Sequence, residues 1–145
     1  SGLGRALMAR GDLPGAEASL RRALALVAND ASSALALGDV LARTERVEEA
    51  FEQYRHAADL DPRNPAGLLR AAELAIRLNR DVLASGYLDR LLQQHPNLGA
   101  GLALYGDVMR ARRDATQARQ YYQRALQGTG EVDRARIETA LRELR

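Results

Sequence analysis

The chain has 145 residues, of which 46% are hydrophobic and 28% are charged, a composition typical of one ordinary globular domain. Its net charge of +2 is too small to indicate a nucleic-acid-binding face. No stretch approaches the roughly 18 apolar residues that a transmembrane helix needs, so direct membrane insertion is not expected.

All 21 basic residues are arginine, a bias that is typical of a high-GC bacterial genome. We therefore expect a bacterial protein. Its localisation, in the cytoplasm or the periplasm, stays open because there is no cysteine to indicate a redox compartment. The absence of lysine excludes a Walker-type phosphate loop and a Schiff-base lysine.

A repeat of 34 residues runs through the chain as four aligned columns. The first column holds small residues: Gly4, Gly38, Ala72 and Gly106. The second is alanine throughout: Ala16, Ala50, Ala84 and Ala118. The third holds large residues, and the fourth is mostly alanine: Leu20, Tyr54, Leu88 and Tyr122, then Ala23, Ala57, Leu91 and Ala125. The small residues indicate positions where two helices approach closely.

In chain order, the repeat predicts four helical hairpins and a final helix. Their predicted bounds are residues 1–30, 31–64, 65–98, 99–132 and 133–145. A short polar turn divides each hairpin: Gly11-Asp12, Glu45-Arg46, Asn79-Arg80 and Arg113-Asp114. Asp30, Asn64 and Asn97 precede first helices as N-cap candidates, and Pro65 suits a first helical position. No segment alternates with period two, so no strand is predicted.

Large apolar residues at helical spacing are predicted to fill the gaps between hairpins. They are Leu3, Leu7, Leu37, Leu41, Tyr105 and Met109. The final helix carries Ile137, Leu141 and Leu144 on one side and charged residues elsewhere, the pattern of a terminal capping helix. The chain begins inside a predicted helix, so we expect it to be a fragment of a longer protein.

The second hairpin resembles the tetratricopeptide repeat family most strongly. The positions that carry this resemblance are Ala34, Leu37, Gly38, Leu41, Ala50, Tyr54, Ala57 and Pro62. The resemblance implies an all-α fold, a right-handed α-solenoid of about four helical hairpins with a C-terminal capping helix. It also implies a single domain over residues 1–145, in which the first helices of the hairpins line a concave groove.

The resemblance assigns one set of residues to this partner-binding groove. They are Arg5, Leu35, Asp39, Arg43, Leu69, Glu73, Ile76, Arg77, Ala103, Asp107 and Arg110. Within this set, Asp39, Glu73 and Asp107 form an acidic column that predicts a partner with basic residues. The alternative is that these carboxylates form internal salt bridges with the arginines three or four residues later.

Catalysis is not indicated by the residues that are present. The two histidines, His56 and His95, are predicted on the surface, and no cluster has the spacing of metal ligands. We therefore expect a protein that is not an enzyme, with no cofactor and no metal. Arg110, Arg112 and Arg113 end a first helix, where interaction with the helix dipole is favoured over anion binding.

Two pairs of tyrosines receive different interpretations. Tyr54 and Tyr122 lie in the column of large residues and are predicted in the core. Tyr87 and Tyr121 each lie one residue before that column, and they are predicted to be partly exposed. They form either a contact patch or a cover for the helix stem.

The sequence therefore predicts a protein–protein interaction scaffold that binds a partner peptide or helix in its concave groove. One alternative is a recruiting arm of a larger bacterial secretion, polysaccharide-export or pilus-assembly protein or enzyme. Another is a self-assembling scaffold. The expected partner is a protein or peptide and not a nucleic acid, and the oligomeric state stays open.

Overall fold

The computed structural model describes residues 3–5 and 11–144, and almost all of them that lie outside turns are helical. Eight helices follow residue 11: α1 Leu13–Leu26, α2 Ala31–Arg43, α3 Val47–Leu60, α4 Pro65–Arg77, α5 Asp81–Gln94, α6 Gly99–Ala111, α7 Ala115–Leu126 and α8 Arg134–Glu143. Residues 3–5 are helical as well. Within the described residues the only β-type pairing is one isolated bridge between Leu98 and Thr129, so the all-α prediction is confirmed.

The helices recur with the 34-residue period of the sequence. The first helices of hairpins, α2, α4 and α6, begin at Ala31, Pro65 and Gly99. The second helices, α1, α3, α5 and α7, begin at Leu13, Val47, Asp81 and Ala115. No helix in the described part of the chain is long and apolar enough to cross a membrane.

Aspartate is the N-cap residue of several of these helices. Asp12, Asp30, Asp114 and Asp133 each accept a hydrogen bond from the backbone N–H three residues later. Asn64 Oδ1 accepts from the Ala66 N–H at 3.0 Å. These bonds satisfy backbone donors that have no partner inside the helix, and the expected caps at Asp30 and Asn64 are confirmed.

The expected cap at Asn97 is wrong. The N-cap of α6 is Leu98, which makes no side-chain cap bond. The Asn97 carbonyl instead accepts the Thr129 N–H at 2.7 Å, and the Gly99 N–H donates to the Thr129 carbonyl at 2.9 Å. A Cβ on Gly128 would lie 2.5 Å from the Asn97 oxygen, so glycine permits this close approach. Pairing with a distant loop has replaced the local cap.

The turn inside each hairpin contains one residue in the left-handed region. The φ angles are 84° at Gly11, 62° at Glu45, 59° at Asn79 and 62° at Arg113. These four positions are again 34 residues apart, so the predicted turns are confirmed with one shared backbone geometry. Glycine occupies the position once, and the other three residues adopt a conformation that costs an L-residue free energy.

The chain divides into two compact units, the first ending at Leu74 and the second beginning at Ala75. In the first unit, α2 packs against both α1 and α3. Its core includes Leu20, Leu37, Leu41, Phe51 and Tyr54. The buried alanines of the repeat, Ala16 and Ala50, are fully inaccessible to solvent, as helix pairs in close contact require.

In the second unit, α6 packs against α5 and α7, and α8 packs against α7. Its buried residues include Ala84, Leu88, Leu91, Leu102, Met109, Ala118, Tyr122 and Ile137. Ile137 and Ala140 of α8 are buried, whereas Leu141 and the C-cap residue Leu144 are half-buried. The buried face of α8 is therefore smaller than predicted, because its buried residues, Ile137 and Ala140, lie within one helical turn.

Two expectations about exposure are wrong. Leu3 is 61% exposed and therefore does not fill a gap between hairpins as predicted. Tyr87 is only 7% exposed, and Arg90, one turn later on α5, lies over its ring. Tyr121 is half-buried, and Tyr54 and Tyr122 lie in the core as predicted. Leu7 lies outside the described residues.

Candidate functional site

The predicted groove residues lie on the first helices of the hairpins. Helix α2 carries Leu35, Asp39 and Arg43, and α4 carries Leu69, Glu73, Ile76 and Arg77. Helix α6 carries Ala103, Asp107 and Arg110, and Arg5 lies in the helical residues 3–5. Arg43, Glu73, Arg77 and Arg110 are exposed, and Leu35, Leu69 and Ile76 are half-buried. Ala103 is 3% exposed, which leaves it almost no surface for a partner.

In the first unit, an open depression of about 200 Å³ collects several of these residues. It is lined by Arg5, Ser32, Leu35, Ala36, Asp39 and Arg70. The Arg5 guanidinium donates a hydrogen bond to Ser32 Oγ, which fixes Arg5 beside α2. The depression therefore has apolar side chains between two arginines and one aspartate.

Asp39 is held by two partners across this depression. Tyr54 Oη donates to Asp39 Oδ1 at 2.5 Å, and Arg70 Nε lies 3.2 Å from the same oxygen. Burial raises the pKa of Tyr54 well above its usual range, and the hydrogen bond to Asp39 adds to that rise. The hydroxyl therefore stays a donor, and the charge of Asp39 is compensated by Arg70.

The second unit repeats this arrangement around Asp107. Tyr122 Oη donates to Asp107 Oδ1 at 2.5 Å. Arg136 Nη1 lies 3.0 Å and 3.1 Å from the two carboxylate oxygens. Burial is the main cause of a raised pKa at Tyr122, followed by its hydrogen bond to Asp107. We call each of these clusters an Asp–Tyr–Arg triad.

The triads differ from the salt bridges that sequence spacing suggested. Asp39 pairs with Arg70 and not with Arg43, while Asp107 pairs with Arg136. Arg110 forms its ion pair with Glu143 of α8. In each triad the arginine lies two helices after the aspartate: Arg70 is on α4 and Arg136 is on α8. Spacing of three or four residues within one helix does not reveal such a contact. The sequence signal for the triad was the tyrosine fifteen residues after each aspartate.

Two further depressions lie in the second unit. One, of about 240 Å³, is lined by Ile76, Asn79, Asp81, Val108 and Ala111. Arg112 Nε lies 3.0 Å from Asp81 Oδ2 at its edge and holds the pKa of Asp81 below its usual value. The other, of about 430 Å³, lies between α6 and α8 and is lined by Arg110, Asp133, Ala135, Arg136, Thr139, Ala140 and Glu143.

The arginines at the end of α6 do not form one basic cluster. Arg110 pairs with Glu143, and Arg112 donates to both Asp81 and Ser85. Arg110 also lies in the last turn of α6, where a cation interacts favourably with the helix dipole. These carboxylate partners compensate the charges of Arg110 and Arg112, which favours internal ion pairs over an anion site at this helix end.

The two histidines are exposed. His56 Nε2 lies 3.2 Å from the Ala28 carbonyl oxygen, and His95 is the C-cap residue of α5. Among the described residues, no group of three or more histidine, aspartate and glutamate side chains is placed to hold a metal ion.

Comparisons with known proteins agree with this geometry. A family model described as tetratricopeptide repeat matches residues 1–65. No match was found among the curated proteins. Among solved structures, the chain is similar to tetratricopeptide-type proteins from several bacteria.

MamA from Desulfovibrio magneticus RS-1 superposes with a TM-score of 0.85 at 16% identity, covering 99% of this chain and 80% of that chain. A tetratricopeptide repeat protein from Parabacteroides merdae gives 0.83 at 23% identity, covering 98% of this chain and 57% of the other. A thermophilic TPR protein from Thermus thermophilus gives 0.75 at 22% identity, covering 98% and 77%.

At these identities the structural comparisons establish the fold. The predicted resemblance to the tetratricopeptide repeat family is therefore confirmed, by the family model and by the structural neighbours together. The chain is an all-α protein built from tetratricopeptide-type helical hairpins. This fold generally serves as a scaffold for protein–protein interaction.

Proposed function

We propose that this chain is a protein–protein interaction scaffold whose first helices bind a segment of a partner protein. The observation that carries the proposal is that, in each unit, side chains of first helices line an open depression that mixes apolar and charged groups. Arg5, Leu35 and Asp39 line one depression, and Ile76 lines the other. All four belong to the groove positions that the tetratricopeptide resemblance assigns.

The contacts of Asp39 and Asp107 indicate which side chains of a partner would contribute to the affinity. Each carboxylate accepts a tyrosine hydrogen bond and faces an arginine, so little uncompensated negative charge is left for a basic partner. The half-buried Leu35 and Ile76 offer apolar surface within the depressions. We therefore expect apolar side chains of the partner to supply most of the affinity, with a small dependence on salt.

Site-specific photo-crosslinking in cells that express the chain tests this proposal. A photoreactive residue at Leu35 or at Ile76 should crosslink to the same partner protein. The matched control is Leu26, which is apolar and 82% exposed but lies outside both depressions. If the partner crosslinks equally well from Leu26, or only from Leu26, the first helices are not the binding face and the proposal is wrong.

Substitution then tests the chemistry of the contact. Leu35→Arg or Ile76→Arg should weaken the captured complex at least about tenfold, while Leu26→Arg should leave it unchanged. Circular dichroism of each variant confirms that the helices remain folded. If binding survives both groove variants with intact helices, the proposal fails.

The two alternative roles give different results in the same system. A recruiting arm would crosslink to another part of the larger bacterial protein or machine that contains it. A self-assembling scaffold would crosslink to a second copy of this chain, and its molar mass by light scattering would rise with concentration. Neither alternative changes the face that we propose for binding.

A further inference from the structure

A second candidate surface is formed by residues of α5, α6 and α7 that do not line the depressions described above. Tyr105 of α6 links α5 to α7: its hydroxyl donates to Asp89 Oδ1 at 2.8 Å, and its ring stacks on Tyr121. The two ring centroids are 4.6 Å apart, and the planes differ by 16°. Arg124 then lies over the Tyr121 ring at 5.4 Å.

Helix α5 carries a matching pair one repeat earlier. Arg90 lies over the ring of Tyr87 at 6.0 Å. Arg90 and Arg124 are 34 residues apart, and so are Tyr87 and Tyr121, so both pairs occupy the same position of the repeat. We call Arg90 and Arg124, with the tyrosines that hold them, the arginine–tyrosine pairs.

The two guanidinium groups are suited to bind carboxylates. Among the described residues, neither Arg90 nor Arg124 forms an ion pair, whereas Arg110, Arg112 and Arg136 do. Contact with a tyrosine ring restrains each arginine before a ligand arrives, which lowers the entropy that binding costs. The N–H groups at the edge of a guanidinium stay available for bidentate hydrogen bonds to a carboxylate.

The charge of this region fits a negatively charged partner. Residues 75–145 contain twelve arginines and eight acidic residues, whereas residues 1–74 contain nine arginines and eleven acidic residues. Helix α7 has two arginines and no acidic residue. Asp89 precedes Arg90 in the sequence, and its carboxylate accepts a hydrogen bond from the Tyr105 hydroxyl.

We propose that the arginine–tyrosine pairs bind an acidic segment of a partner protein, with carboxylates that bridge Arg90 and Arg124. Because Tyr105 of α6 contacts both α5 and α7, we infer that the two arginines are about 8–10 Å apart, the order of one helix-packing distance. A polyproline II segment rises about 3.1 Å per residue and has three residues per turn, so acidic residues three positions apart lie on one face at about this separation. The segment is therefore an extended one with an acidic residue at every third position.

The same contacts argue against single-stranded nucleic acid, which would need free aromatic faces for its bases. Tyr121 already contacts Tyr105 and Arg124, and Tyr87 is buried beneath Arg90. The rings of this surface therefore serve to hold the arginines.

Fluorescence anisotropy with a labelled peptide, Glu-Ser-Ser-Glu-Ser-Ser-Glu, tests the proposal on the full chain. We expect salt-sensitive binding that is stronger than binding of a peptide of the same composition with its three glutamates adjacent. R90Q combined with R124Q should weaken binding at least about fivefold. The matched control R22Q combined with R63Q removes the same charge from exposed arginines of the first unit, and it should change binding less than about twofold.

Four results would overturn the proposal. They are absence of binding at low salt, an equal loss in the control pair, tighter binding of an oligothymidine at the same arginines, and self-association of the chain that R90Q with R124Q abolishes. Y121L gives a further check. Because it removes the ring under Arg124 but no charge, it should weaken peptide binding while circular dichroism stays unchanged, and unchanged binding would contradict the assigned role of the ring.

Discussion

At the scale of single residues, the packing of glycine against tyrosine explains two columns of the repeat. A Cβ on Gly38 would lie 2.6 Å from two carbons of the Tyr54 ring, and a Cβ on Gly106 would lie 2.7 Å from the Tyr122 ring. In the third hairpin of the sequence, the small residue is Ala72 and the large residue is Leu88. The repeat therefore tolerates alanine where the tyrosine is absent.

Gly38→Ala should destabilise the fold by about 1–3 kcal/mol, because the added methyl group overlaps the Tyr54 ring. In a Tyr54→Leu background the same substitution should cost clearly less, so urea unfolding of the double-mutant cycle should show a coupling energy. Gly86→Ala is the control: a methyl group there would have no neighbour within 4 Å, and alanine should stabilise α5 by about 0.5–1 kcal/mol. Equal costs of Gly38→Ala in both backgrounds would contradict the contact.

The left-handed turn positions make a second prediction at this scale. Arg113 has φ 62°, so Arg113→Gly should be more stable than Arg113→Ala by about 1 kcal/mol. This order is the reverse of that in a helix interior, and comparing two truncations removes the effect of the arginine side chain. Thermal unfolding measures the difference, and an alanine variant that is as stable as the glycine variant would show that the backbone strain is absent.

At the scale of helices, caps and buried alanines decide where each element begins and how closely it packs. Asp30 shows the cap most clearly. Its carboxylate accepts hydrogen bonds from the Ser33 hydroxyl and from the Ser33 N–H, the latter at 3.1 Å, and these two bonds lower the pKa of Asp30 in that order of importance. A carboxylate with a lowered pKa in the folded state stabilises the fold above its unfolded pKa, and that stabilisation is lost as the pH falls through the folded pKa.

Asp30→Ala should therefore lower the free energy of unfolding by about 1 kcal/mol at neutral pH and by progressively less as the pH falls below about 4. Urea unfolding across this pH range measures the change. Asp30→Asn keeps a capping oxygen without the charge, so its stability should vary less with pH than that of the wild type. A constant difference between wild type and Asp30→Ala at every pH would mean that the cap does not depend on the ionised carboxylate.

Helix α8 gives the other prediction at this scale. Removing residues 133–145 exposes the surface that Ile137 and Ala140 cover, and it removes the bonds from Arg136 to Asp107 and from Arg119 to the Leu144 carbonyl. We expect the shortened chain to have a lower melting temperature and to associate, as seen by light scattering. Ile137→Asp should have a similar effect in the full-length chain, whereas Glu138→Gln should not. A shortened chain that is monomeric and equally stable would exclude a capping role.

At the scale of the whole molecule, the order of the helices in the sequence determines which helices pack together. Within the described residues of each unit, the substantial helix–helix contacts join helices that are consecutive in sequence. A fold with such local contacts does not need to close long loops before it gains stabilising contacts. The same locality explains why the 34-residue period of the sequence reappears directly as the period of the helices.

We therefore expect the main refolding phase to be complete within milliseconds or less. Stopped-flow dilution from urea, followed by tyrosine fluorescence, measures this rate. A slow minor phase from proline isomerisation is distinguished by its acceleration with a prolyl isomerase. A main phase of seconds that an isomerase does not affect would contradict folding through local contacts.

The helical hairpins, their period, the turn positions and most of the core could be predicted from the order of the amino acids. These features depend on spacing, on small residues at repeated positions and on caps within three residues of a helix start, all of which are local in the chain. Asp30, Asn64 and the alanine column could be interpreted correctly for this reason. The groove of the tetratricopeptide resemblance, with its handedness and its partner, stays a prediction.

The side chains that meet across helices could not be predicted in this way, because these contacts depend on how the helices pack. Asp39 pairs with Arg70 and Asp107 with Arg136, although nearer arginines exist along each helix. The Asn97 carbonyl pairs with Thr129, and Tyr105 stacks on Tyr121. Long side chains and loop backbones select partners by distance in space, and many arginines compete for each carboxylate. Sequence spacing therefore identifies the helices, while the surface chemistry that a partner would meet depends on how those helices pack.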